Sequence, residues 1–471
     1  MQMLIGGKWI DKNEKINVYD PFDNSIIDTI PKANSEDALH AIESAVKGFK
    51  ISKNLKVYER ANILFRTADY VEKNVEDFAL TIAREGSKTI KEARKEARRC
   101  VNTLRISAEE SKRILGETIP FDSFPGGENR HGYYYRFPIG IILAITPFND
   151  PLNLVAHKLG PAFAAGNSVI LKPATVTPLS AIKLAQAFIE SGLPAECLQV
   201  ITGNGSEIGP VLVKDERIRM VSFTGGVEAG KEVAAMAGIK KIGMELGSNS
   251  PVIVWKDANI DYAADSCVSG AFWAAGQNCI GVQRVYIHSD IYNVFRDKFV
   301  ERTLKYKIGN KLNEETDMGP MITEKEAARV EKWVSEAVEK GAKCLCGGKR
   351  TGALMEPTVL ENVPETATIH FEEVFGPVVN LYIVNSIDEA IEKSNSLNYG
   401  LLAGIFTSDI NIAFKAAYEL ECGGVMVNES TDYRLDSMPF GGIKNSGLGR
   451  EGIKFALQEM TEPKVICFTK I

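Results

Sequence analysis

Few features of this sequence point away from an ordinary globular enzyme, and several absences narrow the field. No long basic run occurs in its 471 residues and the formal net charge is −6, so nucleic acid is not an expected partner. The longest apolar run, 137–148, is too short to cross a bilayer. Residues 1–8 carry no charged segment leading into a long apolar core, so a cytoplasmic protein without a membrane partner is expected. The eight cysteines are scattered, and Cys344-Leu345-Cys346 is their only close pair. With five dispersed histidines and no second cysteine pair, a metal site is not expected. The pair reads instead as a strand before the turn Gly347-Gly348. There is no internal repeat, no low-complexity tract and no long Pro/Ser linker. A chain of this length, 45% hydrophobic and 25% charged, exceeds one core, and two or three domains are expected.

From residue 137 onward the pattern is regular. Apolar strands at 139–145, 169–171, 198–201 and 220–223 alternate with helical stretches at 153–165, 179–190, 207–213 and 229–237. This alternation predicts a parallel sheet covered on both faces, an α/β architecture with a Rossmann-type nucleotide site at the carboxyl ends of its strands. That edge carries Thr146-Pro147-Phe148-Asn149, Lys172, Gly203 and Thr224-Gly225-Gly226. A second α/β series after Glu245 has strands at 251–255, 284–288, 378–384, 403–407 and 424–428, with helices at 260–275, 291–306 and 324–339. Residues 35–116 are mostly helical, after a short β start at 4–10, and the locally basic stretch 88–105 reads as a solvated helix face. The aromatic segment 132–137 predicts a strand outside the main sheet, pairing with the last segment, 464–468.

Two short segments carry chemistry. Cys279 follows Gly276-Gln277-Asn278 in a small, polar loop, unlike Cys267 and Cys422, which fit buried structural thiols. Thirty-four residues earlier lies Glu245, within Gly243-Met244-Glu245-Leu246-Gly247. A thiolate attacks electrophilic carbon, and a carboxylate in an apolar surrounding has a raised pKa suited to activating water.

Together with Pro147-Phe148-Asn149, Leu171-Lys172-Pro173-Ala174, Phe223-Thr224-Gly225-Gly226, Glu373-Val374-Phe375-Gly376-Pro377 and Pro439-Phe440-Gly441-Gly442, these segments resemble the NAD(P)-dependent aldehyde dehydrogenase superfamily, in its motif order and over nearly the whole chain. The resemblance implies that Cys279 attacks an aldehyde to form a thiohemiacetal. Hydride transfer to the nicotinamide then leaves a thioester, which water activated by Glu245 hydrolyses. It implies an oxyanion hole from the Asn149 amide and the Cys279 N–H. Cofactor contacts are implied for Thr146, Pro147, Phe148, Lys172, Thr175, Gly203, Gly205, Phe223, Thr224, Gly225, Gly226, Leu246, Gly247, Glu373 and Phe375. Thr175 stands where NAD-preferring members have a glutamate, so NADP use, alone or beside NAD, is expected. Gly226 replaces a common serine and keeps only its backbone donor.

Substrate contacts are expected from Arg105 at the tunnel mouth, from Arg434 in the loop before Pro439, and from Asn278 and Ile280 beside the thiol. Asp150 either contacts a hydroxylated substrate or, as the preferred reading, caps the helix from Asn153. The arginines favour a small polar or anionic aldehyde, as in the lactaldehyde-, phosphonoacetaldehyde- and non-phosphorylating glyceraldehyde-3-phosphate-oxidising members. A coenzyme A-acylating dehydrogenase and a non-enzymatic member remain as alternatives, the first disfavoured by Glu245. The expected domains are a cofactor-binding domain (1–117, 138–248 and 437–454), a catalytic domain (249–436) and a small β bridging region (118–137 and 455–471). The bridging strands would form the contact of a homodimer or homotetramer.

Overall fold

The computed structural model describes residues 1–470. Five parallel strands form its first sheet in the spatial order Leu198–Val200, Ser168–Lys172, Ile141–Ile145, Ile218–Thr224, Lys241–Glu245. The central strands Ile141–Ile145 and Ser168–Lys172 are apolar but for the terminal Ser168 and Lys172, as suits strands buried on both faces. Helices Asn153–Ala165, Leu179–Glu190, Gly205–Lys214 and Val227–Ala237 make the crossovers. The hairpin Met3–Ile5/Lys8–Ile10 closes one edge of the sheet and Gly447–Leu448 the other, both antiparallel. Strand order reverses between Ile141–Ile145 and Ile218–Thr224, and such a switch point opens a crevice at the carboxyl ends.

The second sheet runs Lys343–Cys346, Thr358–Glu361, Val378–Val384, Val282–His288, Ser250–Val254, Leu402–Phe406, Gly424–Val427, parallel except for its first pair. A third, three-stranded sheet pairs Arg130–Pro138 with Thr461–Thr469 along their length and with Glu117–Ile119 on the other side. The helix Ile453–Glu459 leads into that sheet's last strand, its Gln458 carbonyl bonded by Arg136 of the sheet and its Leu457 packed in the core beneath the first sheet. Each large sheet has apolar cores on both faces. Among the described residues no helix is long and apolar enough to cross a membrane.

The helix Ile90–Ser111 departs from the sequence expectation. It begins with a reciprocal cap between Thr89 and Glu92. The charged stretch 88–105 is a solvated face only in part: Lys95 and Arg98 are exposed, but Lys88, Glu92 and Glu96 are buried, in line with Ala93, Ala97, Cys100 and Leu104. Residues four apart share a helix face, so these charges lie on the stripe turned into the protein.

Candidate active site

The crevice between the two large sheets holds a cavity of about 440 Å³. Cys279, Asn278 and Ile280 line it from the second lobe, Asn149 and Asp150 from the first, and Arg434 from the loop before Pro439.

Local strain and tertiary clamps set the position of the Cys279 loop. The helix Ile260–Phe272 does not run on to residue 275. It breaks into a tight turn in which Ala274 (φ 50°), Ala275 (φ 55°) and Gly276 (φ 67°) are left-handed. For alanine that conformation is costly and persists only when the surroundings impose it. The buried Glu92 carboxylate accepts the Ala274 N–H at 3.0 Å and the Thr89 N–H at 2.8 Å. Gln277 Oε1 accepts from Ile322 N at 2.9 Å, and Gln277 Nε2 donates to the Ala274 carbonyl. Gly276 lies so close to the Gly376 carbonyl that a Cβ would overlap it. Asn278 Oδ1 accepts the Ile280 N–H, and the Asn278 carbonyl accepts that of Gly281. The Asn278 side chain therefore shapes the turn, and neither of these bonds uses the Cys279 N–H.

Burial pushes the Cys279 thiol up to about 12, against the pull of Arg434 and with Glu373 and Glu245 adding to the rise. The thiol is thus protonated at rest and its proton needs a base. Glu245, the last residue of Lys241–Glu245, does not line the cavity. It faces a small void behind it, shared with His157, Ser222 and Glu451. Desolvation, reinforced by Glu451, raises the Glu245 carboxyl well above its ordinary value, and Oε2 is buried without a partner. Glu451 goes the other way. Burial would raise it, but Lys158 at 3.1 Å and Arg434 at 3.1 Å hold it down to about 2. Two neighbouring carboxyls thus have opposite protonation preferences, set by their cation partners.

Arg434 belongs to a charged network that continues to the cavity mouth. Its guanidinium lies 3.6 Å from the Phe440 ring centre and bonds Glu451. His157 Nε2 meets Asp436 at 2.9 Å, and Asp436 accepts from Arg99 at 2.8 Å. Asp150 pairs with Lys88, whose ammonium also bonds Glu96 at 2.7 Å and lies 4.5 Å from the Trp273 ring. The preferred reading of Asp150 as a helix cap is corrected: the Leu152 and Asn153 N–H groups at the start of Asn153–Ala165 go to Glu96 Oε1 at 2.8 and 3.0 Å, and the Asp150 carboxylate is drawn to Lys88 and the cavity. Arg105 is also corrected. It is tied to Glu72 at 2.6 Å and Asp69 at 3.2 Å, outside the cavity. Arg99 lines the cavity instead, because six residues along a helix rotate a side chain by about 240°. Lys88, Glu92, Glu96, Arg99, His157, Lys158, Asp436 and Glu451 escaped the sequence reading; the i, i+4 recurrence of Lys88, Glu92 and Glu96 beside small apolar residues was the signal available.

On the first sheet's edge the remaining candidates form an open cradle. Lys172 is nearly buried, its ammonium bonded only to the Pro173 carbonyl at 3.2 Å, and burial lowers its pKa to about 8. Gly205 stands beside it with no side chain to intervene. Thr175 Oγ1 donates to the Gly203 carbonyl at 3.0 Å. The Thr146 N–H is paired within the sheet to Lys172 O, and Pro147 leads into Phe148, whose ring meets Phe375 edge-on at 5.6 Å. Phe223 is core, packed under Gly225, and the Gly225 N–H is already bonded to the Glu245 carbonyl. The free donors therefore begin at Gly226, which caps Val227–Ala237 with open space around its Cα. Thr224 Oγ1 is buried without a partner. The Leu246 N–H goes to Ser446, and a side chain on Gly247 would strike the Glu373 carboxylate, which accepts from Ser248 N at 2.8 Å. Burial raises Glu373 to about 8. A helix N-terminus whose cap has no side chain, an unpartnered hydroxyl and an underused ammonium along one edge fit a dinucleotide with its phosphates at the helix.

The family model for the aldehyde dehydrogenase family matches residues 9–466. The chain belongs to this family. It is 51% identical to aspartate-semialdehyde dehydrogenase 1 of Pseudomonas canavaninivorans, over 96% of each chain. It is 47% identical to 3-sulfolactaldehyde dehydrogenase of Priestia aryabhattai, over 98% of this chain and 97% of the relative. Among solved structures it resembles glyceraldehyde-3-phosphate dehydrogenase GapN of Methanocaldococcus jannaschii complexed with NADP, at 40% identity and TM-score 0.94 over 98% of this chain and 100% of that one. The fold is that of the aldehyde dehydrogenases, and the chain is an oxidoreductase of that family.

Proposed function

We propose that this aldehyde dehydrogenase oxidises a small polar or anionic aldehyde to its carboxylic acid with NADP or NAD, through a covalent adduct on Cys279. The observation that carries this reading is the half-buried Cys279 on a clamped loop, in a cavity shared with Asn149 and Arg434. Ionised Glu245 takes the Cys279 proton through a water molecule and passes it to solvent; the thiolate adds to the aldehyde carbon, and the oxyanion that forms takes hydrogen bonds from the Asn149 amide and the Cys279 N–H. Such donors contribute about 3 kcal/mol each to the transition state. NAD(P), when bound, accepts the hydride of the adduct. Lys172, the Val227 helix N-terminus and Glu373 would hold the dinucleotide, with Phe375 and Phe148 beside its ring. Glu245 activates water against the resulting thioester, after its side chain turns out of the void behind the cavity. Gly441 leaves room there, since a Cβ on it would crowd Glu245 Oε1. Relatives named for aspartate semialdehyde and sulfolactaldehyde support a small, charged substrate.

Cofactor reduction at 340 nm with a panel of aldehydes tests the reading. Turnover with charged C3–C4 aldehydes, absent in Cys279→Ala, is expected. Undiminished turnover in that variant would reject the mechanism, and product formation dependent on coenzyme A would move the chain to the acylating branch. The nine-residue edge strand Thr461–Thr469, with Val465 and Phe468 exposed, supports a homodimer or homotetramer joined through the third sheet. A monomer in sedimentation at micromolar concentration would overturn that.

A further inference from the structure

The cavity mouth carries charges of both signs, and two of its carboxylates lie outside every ion pair there. Glu429 and Asp432 line it from the segment after Gly424–Val427. Among the described residues no lysine, arginine or histidine nitrogen lies within 4.0 Å of either carboxylate; Lys95, exposed on the rim, pulls on Asp432 only weakly and from farther away. Their partners are hydroxyls and one amide: Ser266 Oγ at 2.7 Å and Ser430 N at 3.0 Å for Glu429, and Ser430 Oγ for Asp432. Burial and the neighbouring Glu429 both raise the Asp432 carboxyl, as expected of two like charges without a counterion. A second set of groups in the same cavity is cationic. The Arg434 side chain is more than nine-tenths buried, lines the cavity and has Glu451 as its carboxylate partner. Arg99 turns one nitrogen to Asp436 and holds Asp150 only at 3.9 Å.

We infer that the mouth recognises a zwitterion: an α-amino acid semialdehyde whose carboxylate binds Arg99 and Arg434 and whose ammonium is held between Glu429 and Asp432. A guanidinium matches a carboxylate in shape, and a compact ammonium with three donors suits two adjacent carboxylates. The Ser266 and Ser430 hydroxyls hold those carboxylates in place without neutralising them. This inference rests on the aldehyde oxidation proposed above and adds the ammonium as a specificity element.

The test compares kcat/KM of the intact enzyme for aspartate semialdehyde, succinate semialdehyde, the 2-hydroxy analogue of succinate semialdehyde, and 3-aminopropanal, with NADP as cofactor. The expected result is at least a tenfold preference for the zwitterion over each of the other three. In Glu429→Gln and Asp432→Asn the ratio of zwitterion to succinate semialdehyde should fall at least tenfold. A loss of folded protein would lower all four rates together and leave that ratio alone. Oxidation of succinate semialdehyde or the hydroxy analogue as efficient as that of the zwitterion, or an unchanged ratio in both variants, overturns the ammonium site while leaving aldehyde oxidation intact. No oxidation of any of the four overturns both.

Discussion

The two large sheets meet the cleft with differently built edges. On the first, the groups that would face a cofactor have few partners: Lys172 has one weak carbonyl, Thr224 Oγ1 has none, and Gly226 caps its helix without a side chain. On the second, the Cys279 loop is left-handed at three successive residues and tied by Glu92, Gln277 and Asn278. An exchangeable ligand needs donors that nothing else occupies, whereas a nucleophile needs a position that thermal motion does not blur. The protein therefore spends its hydrogen bonds on one edge and withholds them on the other.

The largest effect expected on this contrast is at the nucleophile. Cys279→Ala should lower kcat by about 10⁴-fold or more, while NADP titration followed by protein fluorescence stays near wild type, because the open edge does not depend on the sulfur. Loss of both together would mean that the edges are not independent.

Glu245→Gln should slow deacylation about 10²- to 10⁴-fold, seen as one rapid equivalent of reduced cofactor followed by slow turnover. A pH dependence accompanies it. Glu245 works as a base only when ionised, and burial raises its carboxyl, so steady-state rate in the wild type should fall as pH drops through that raised value, well above the ordinary carboxylate range. The variant should lack this limb; a limb that persists assigns the titration to another group.

Glu92→Gln probes the clamp. Its carboxylate accepts N–H groups from both Ala274 and Thr89, so one bond is replaced by a clash of donors and stability should fall by about 2 kcal/mol in chemical denaturation. Cofactor affinity should be spared, and an equal loss of NADP affinity would show that the clamp serves both edges. The smallest effect is expected at Thr175→Glu, beside Gly203 on the open edge. A carboxylate near the expected 2′-phosphate should lower the NADP-to-NAD ratio of kcat/KM about fivefold to tenfold. An unchanged ratio would place the adenosine ribose elsewhere.

Much of the architecture was legible because it is encoded locally. The strand–helix alternation from residue 141, the pairing of Arg130–Pro138 with the last strand, and the helix Glu324–Glu339 follow from short-range periodicity. The placement of Cys279 in a small, polar loop was legible in the same way, whereas the roles of Asn149 and of the glycines came from the motif resemblance and not from local pattern. The end of the helix at Phe272 was not foreseen, because the sequence to Ala275 suits a helix and only the distant Glu92 and Gly376 force the turn.

The sequence by itself determined most strands of the two sheets and the thiol-bearing loop, through patterns within a few residues, but not the strands Lys241–Glu245 and Thr358–Glu361, which are short and bounded or interrupted by polar residues or glycine. Tertiary structure alone decided which charges face the cavity. Arg99 reaches Asp436 across 337 residues of sequence and Lys158 reaches Glu451 across 293, while Arg105 turns away to a neighbouring helix. A charge is worth little in water and much in a desolvated cleft, and which of these it meets depends on packing that no local pattern records.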